Sequence, residues 1–167
     1  MYYRFTQYLR FLLSSTNEHG IHSPFVYQFI TRCIYAKSNI KGTKTIRVLL
    51  KSIVYFQVKN VYLPSKSPTL KNTLRTISPQ LKFTEKPYDL VYFKNCQADT
   101  LTQLILSNEL HNDSMVLIDN IRQSRSNFEQ WSKIIASDDI VVSIDMYYCG
   151  VLFLRKEQLK EHFKIRI

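Results

Sequence analysis

Only six residues, 145–150, separate two apolar runs near the end of the chain, 140–144 and 151–154. Parallel neighbours need a crossover of about a dozen residues or more, so these two runs can pair only as an antiparallel hairpin. Upstream the pattern differs. β-rich runs at 61–63, 88–93 and 115–118 alternate with helical spacing at Leu70, Leu74 and Ile77, at Leu101, Leu104 and Ile105, and at Phe128, Trp131, Ile134 and Ile135. Strands and helices alternating in this way imply right-handed crossovers and a largely parallel sheet covered on both faces. The expected fold is therefore α/β, a mostly parallel sheet that ends in one antiparallel hairpin.

Three helices are predicted ahead of the first strand. Phe5, Leu9 and Leu12 follow helical spacing, as do Phe25, Phe29 and Cys33 with Val26, Ile30 and Ile34, and then Ile46, Leu49, Leu50, Ile53 and Val54. The second has a defined start, since Ser23 can cap the free amides of the first turn and Pro24 sits where a missing N–H does no harm. A short helix over 157–163 is expected to close the chain. No repeat, low-complexity segment or linker interrupts the sequence, and 167 residues at 45% apolar can bury one sizeable core. The chain reads as a single domain over 1–167, with a helical segment over 1–57 and a sheet core over 58–167.

Several function classes are excluded at this level. No apolar run approaches the roughly 18 residues of a membrane span, and the N-terminus mixes aromatic and charged residues where a signal peptide needs a continuous apolar stretch. A cytoplasmic protein without a membrane partner is expected. Cys33, Cys96 and Cys149 are widely spaced and form no C-x-x-C pair, so they read as reduced core residues. The net charge of +10 raises the question of an anionic partner. Lys and Arg are scattered along the whole chain, densest over 59–71 and 155–166, and no nucleic-acid-binding pattern accompanies them, so a solvated basic surface is the favoured reading.

Particular residues at both ends carry a resemblance. The segment 17–27, Asn-Glu-His-Gly-Ile-His-Ser-Pro-Phe-Val-Tyr, and the C-terminal half, from Val116-Leu117-Ile118-Asp119-Asn120-Ile121 through Trp131, Ile144-Asp145 and Gly150-Val151 to 161–166, resemble a bacterial group of class I S-adenosylmethionine-dependent methyltransferases related to small-molecule O-methyltransferases. The two blocks cover more than half the chain and match both ends, so the chain is expected to be complete. The resemblance implies a Rossmann-like methyltransferase fold, and the short interior implies fewer than its usual strands. From Val61 to Tyr88 there is room for one helix and one further strand, hardly for two strand–helix units.

The resemblance also implies where a cofactor would sit, and there the sequence departs from the pattern. A glycine-rich turn after the first strand should bring backbone amides to the cofactor. Here the stretch is Tyr62-Leu63-Pro64-Ser65-Lys66-Ser67-Pro68, with proline at both glycine positions and no N–H there to donate. Leu63 and Ser65 are what remains of a cofactor-binding loop, and Glu85 is the candidate acid for the ribose hydroxyls. Cation-dependent relatives hold a divalent metal with an aspartate after one strand and an Asp-Asn pair after the next. Asp119-Asn120 matches the pair, whereas Lys94 takes the position of the other aspartate, so no metal is expected and the Lys94 ammonium should lie close to Asp119 in its place. His19 and His22 read as part of a hydrogen-bonded N-terminal cap, His111 as a helix-end cation and His162 as a packing residue of the last helix. Tyr147 and Tyr148, beside the hairpin turn, could face a pocket.

The expectation for function is a degenerate methyltransferase-like protein without cofactor binding or catalysis, whose role is interaction or the binding of another ligand. Two alternatives stand beside it. One is an active O-methyltransferase on a small molecule, with S-adenosylmethionine cradled by Glu85 and the 64–68 loop in some other manner. The other is a basic nucleic-acid-binding module. A homo-oligomer is compatible with either.

Overall fold

The computed structural model describes residues 2–64 and 67–167. Helix α1 (Tyr2–Ser14) is followed by a single 3-10 turn (Glu18–Gly20), then α2 (Pro24–Gln28), which runs on as a π-helical stretch (Phe29–Ile34), and α3 (Lys44–Tyr55). The caps are those expected for these residues. The Ser23 hydroxyl accepts from the amide of Val26 with Pro24 in the first turn, and Thr43 accepts from the amide of Ile46. Beyond them lie β1 (Val61–Tyr62), α4 (Pro68–Ile77), β2 (Tyr88–Phe93), α5 (Ala98–Leu106), β3 (Leu110–Asp119), α6 (Arg125–Ala136), β4 (Val142–Asp145), β5 (Cys149–Phe153) and β6 (Glu161–Lys164). No helix among the described residues is long and apolar enough to cross a membrane.

The strands form one sheet in the order β1-β2-β3-β5-β4-β6. β1, β2 and β3 run parallel, and β5 is antiparallel to β3 on one side and to β4 on the other, with Val142 opposite Phe153 and Asp145 opposite Gly150. The hairpin is thus the one the short connection requires. The sheet is reduced at its other edge, where among the described residues the pairing beyond β1 is a parallel bridge between Asn60 and Lys82. There the Val61 amide donates to the Lys82 carbonyl and the Lys82 amide to that of Lys59, both at 2.8 Å.

The C-terminal end differs from expectation. In place of a helix over 157–163, β6 pairs in parallel with β4 and brings Phe163 opposite Ile144. Burial alternates along it, with Phe163 and Ile165 inward and Leu159, which a helix would have buried, 83% exposed. A period of two rather than 3.6 therefore governs this segment. His162 accordingly lies in a strand, hydrogen-bonded to the Ser143 hydroxyl at 2.9 Å.

Alternate residues of each strand enter different cores. Leu90, Tyr92, Met115 and Leu117 face α2, α3 and α4 through Phe29, Leu49, Ile53 and Leu74. Val91, Phe93, Val116 and Ile118 face α5 and α6 through Leu101, Leu104, Trp131 and Ile134. All three cysteines are buried and free. Burial raises each thiol, Cys33 to about 12 and Cys96 to about 11, with Cys149 also pushed up. Since the thiolate is the nucleophile, none should react with a thiol-specific reagent near neutral pH in the native protein. All three should react once it is unfolded, and a thiol that titrates before unfolding would contradict this packing.

Candidate functional site

The carboxyl ends of β3 and β4 and the 146–148 turn converge beneath α1, with the first turn of α3 at one side. They enclose a cleft of about 170 Å³ lined among others by Arg4, Lys44, Thr45, Asp119, Tyr147 and Tyr148. It adjoins a wider groove of about 540 Å³ formed by Arg4, Phe5, Tyr8, Tyr147 and Tyr148. Carboxyl ends of strands are where α/β sheets take up ligands, because loops and helix termini there leave backbone groups and side chains free.

Asp119 lies at the floor, and its carboxylate is already well supplied. Oδ1 accepts from the Thr45 hydroxyl at 2.6 Å and from the Asn120 amide at 2.9 Å, and the Tyr92 hydroxyl lies 3.4 Å from Oδ2. Burial and the neighbouring Asp119 charge both push the Tyr92 phenol upward, so it stays a donor. Asn120 turns the chain with φ of 58° and donates its side-chain amide to the Lys94 carbonyl. Lys94 does not do what its position in sequence predicts. It is exposed and forms no ion pair with Asp119, because the carboxylate is satisfied by neutral donors from α3, β2 and its own backbone.

Behind the cleft is a pair that no sequence pattern announces. Arg122 and Asp145 have side chains 4% and 1% exposed, and the guanidinium donates to both carboxylate oxygens, with Nε 3.0 Å from Oδ2. Its Nη1 donates to Gln7 of α1 at 2.8 Å, and its Cζ lies over the Phe128 ring, 4.2 Å from the centre, and 5.6 Å from the centre of the Phe11 ring. Asp145 also accepts the amide of Tyr147 at 2.8 Å. Tyr147 has φ of 66°, rare for a bulky residue and sustained only where surroundings hold it. Here its hydroxyl donates to the Arg4 carbonyl at 2.7 Å, and its ring meets Tyr8 and Tyr148 edge-on. The ion pair thus fixes both the lid helix and the aromatic wall of the cleft.

The remaining sequence candidates lie elsewhere. Leu63 follows β1 and packs half-buried against the core, and Pro68 serves as the first residue of α4. Ser65 falls outside the described residues. Glu85 is exposed, three residues beyond the Asn60–Lys82 bridge, and is ion-paired with Lys82 at 2.8 Å. Leu63 and Asp119 follow strands separated by β2, so the two halves of the anticipated site are about 10 Å apart. His111 begins β3 rather than ending a helix, and its Nε2 lies 3.0 Å from Asp89. Burial works against the Asp89 carboxylate, but the amides of Asn60 and Lys59 and the His111 ring outweigh it and hold its pKa below the ordinary value. His19 and His22 are exposed around the 3-10 turn, and among the described residues no three His, Cys, Asp or Glu side chains are grouped as metal ligands would be.

No protein-family model matches this chain, and no curated protein does. Among solved structures, a predicted caffeoyl-CoA O-methyltransferase from Staphylococcus aureus superimposes with a TM-score of 0.55 over 89% of this chain and 98% of its own, at 12% identity. The fold is that of a Rossmann-like methyltransferase. The likeness is one of architecture alone; that Asp119 and Asn120 stand at the carboxyl end of β3 beside the aromatic cleft is a property of this chain's own sheet.

Proposed function

We propose that this chain is a methyltransferase-fold protein that binds no S-adenosylmethionine and transfers no methyl group, and that it acts by interaction or by holding another ligand. The observation that carries this reading is the β1–α4 connection. Its two prolines, Pro64 and Pro68, stand where a cofactor loop needs glycines, they offer no N–H, and Pro68 is committed to starting α4. The three glycines of the chain, Gly20, Gly42 and Gly150, all lie elsewhere. β1 itself has two residues, and the strand that would carry a ribose-binding acid is reduced to one bridge, with Glu85 already paired to Lys82.

A divalent metal fits no better. One carboxylate, Asp119, is present at the expected strand end, where octahedral magnesium would need several oxygen ligands, and Thr45, Asn120 and Tyr92 already donate to it. What remains usable is the cleft under α1, where tyrosine rings and the side chains of Arg4 and Lys44 could hold a compact, polar aromatic ligand.

Titration calorimetry with S-adenosylmethionine tests the reading. No binding heat is expected up to roughly millimolar cofactor, an affinity of about −4 kcal/mol or weaker. A dissociation constant in the micromolar range would overturn it and return the chain to the active O-methyltransferases.

A further inference from the structure

The three helices that cover one face of the sheet share a property the cleft does not use. Between Glu18 and Glu85 the chain contains no Asp or Glu, while eleven of its 23 Lys and Arg fall there. The rest of the chain carries 12 basic and all 13 acidic residues, a formal −1, so the positive excess of the chain resides in this one stretch. α2 with its π-helical extension, α3 and α4 all derive from it and pack on the same face. On the opposite face α5 carries Asp99, and α6 carries Glu129 between Arg125 and Lys133. The fold converts an acid-free length of sequence into a layer of helices that carry no Asp or Glu, with Glu18 of the preceding turn at its margin near Tyr35.

The cations in this layer are available. Arg32, Lys37, Lys41, Arg47, Lys59 and Arg75 are exposed, and among the described basic residues of the stretch Lys82 alone is in an ion pair. Elsewhere Lys86, Arg122, Arg125, Arg155 and Lys160 are each paired with a carboxylate. The layer also contains a pocket of about 380 Å³, lined by Lys44, Arg47 and Lys51 at positions i, i+3 and i+7 of α3 and by Arg166 opposite them. No Asp or Glu lines it. Backbone carbonyls of Ile34 and Ala36 hold the Lys51 ammonium in place without neutralising it, whereas Lys44 is held by a carboxyl oxygen of the last residue, Ile167, so Arg47 and Lys51 are the α3 cations of the pocket that carry no acidic partner. Tyr35 lines the same pocket, and Tyr27 lies two turns before it, 36% and 46% exposed.

We propose that this face binds single-stranded nucleic acid, its phosphates entering the pocket and running along α3, with bases stacking on Tyr27 and Tyr35. Uncompensated cations gain from releasing phosphate counterions, and exposed rings beside a basic groove accept any base. A concave pocket suits a flexible strand that can feed one phosphate inward. A bilayer presents a flat array of headgroups, and the exposed apolar residues of this layer, Val54 and Ile77, lie on separate helices rather than in one insertable stripe.

The test is fluorescence anisotropy with a labelled oligouridylate of about 20 nucleotides. Micromolar binding is expected at about 50 mM salt, weakening about fifty-fold by about 200 mM if about four phosphates are neutralised. Lys41→Glu with Arg47→Glu should weaken binding at least about tenfold, whereas Arg125→Glu with Lys133→Glu, the same charge change on the opposite face, should stay within about twofold. Melting curves of both variants establish that they are folded. Absence of binding at low salt, or equal losses from the two variants, would overturn the proposal. So would attachment to phosphatidylserine-containing vesicles without oligonucleotide binding, which would assign the face to a membrane. These outcomes are independent of the cofactor titration.

Discussion

Asp145→Ala is expected to destabilise the protein by about 3–5 kcal/mol, because it leaves the Arg122 guanidinium buried without its counter-ion. With side chains 4% and 1% exposed, neither partner can recover its charge solvation by turning to water. Arg122→Met should cost a similar amount, since it strands the carboxylate and removes the donor to Gln7. Arg122→Lys should not rescue, as an ammonium cannot reproduce the forked contact to both oxygens or the stacking on Phe128. The double variant Arg122→Met with Asp145→Asn keeps an acceptor for the Tyr147 amide and leaves no unpaired charge. It should therefore lose at least about 2 kcal/mol less than the sum of the losses of Arg122→Met and Asp145→Asn taken singly. Urea denaturation of the unmutated protein, Arg122→Met, Asp145→Asn and the double variant measures this directly, and additive losses would mean the two residues act separately.

The same pair bears on the cleft. Arg122 is the buried polar tie from the Asp145 carboxylate to α1 through Gln7, beside the bond of Tyr147 to the Arg4 carbonyl, and Asp145 supports the left-handed backbone of Tyr147. Loss of either should loosen the lid before the rest unfolds, so amide exchange in α1 should rise more than in β3. Ligand capacity in the groove of Tyr8, Tyr147 and Tyr148 would fall with it.

What the sequence disclosed, and what it did not, follows from the range of the interactions involved. The hairpin was legible because a six-residue connection leaves one pairing, and the start of α2 was legible because Ser23 and Pro24 act within a single turn. β6 is not legible in the sequence because Leu159 and Phe163, four apart, imitate a helix, while the alternation of Phe163 and Ile165 is too short to dominate. The tie between Arg122 and Asp145 spans 23 residues and arises only because β5 is inserted between β3 and β4. No spacing rule reaches that far. The adjacency of the β2 and β3 ends predicts Lys94 against Asp119, and that adjacency is real, but Thr45 from α3 occupies the carboxylate instead. The basic face is a different case. Scattered lysines gave no cluster along the chain, and the informative feature was the absence of acids from segments that become one layer only in the fold.

Gly150→Ala should be the most damaging single-methyl change in the sheet. Gly150 lies in the middle of the hairpin, paired with Ile118 on one side and Asp145 on the other, and the Trp131 indole covers it. A Cβ added there would lie 2.3 Å from Cη2 and 2.4 Å from Cζ3 of that ring, far inside van der Waals contact. The ring cannot retreat cheaply, because Trp131 is 1% exposed and packed within the α5–α6 core. Moving it displaces α6, and moving the strand disturbs the residue opposite Asp145, so a cost of about 3 kcal/mol or more is expected. Trp131→Leu should itself cost about 2–3 kcal/mol by leaving a cavity. In the Gly150→Ala background it should cost much less, since the methyl then fills part of the space it vacates. Trp131 is the single tryptophan of the chain, so its emission reports the displacement without a label. A red-shifted native spectrum should accompany the loss in Gly150→Ala, and an unshifted spectrum with unchanged stability would mean that the indole does not cover this glycine.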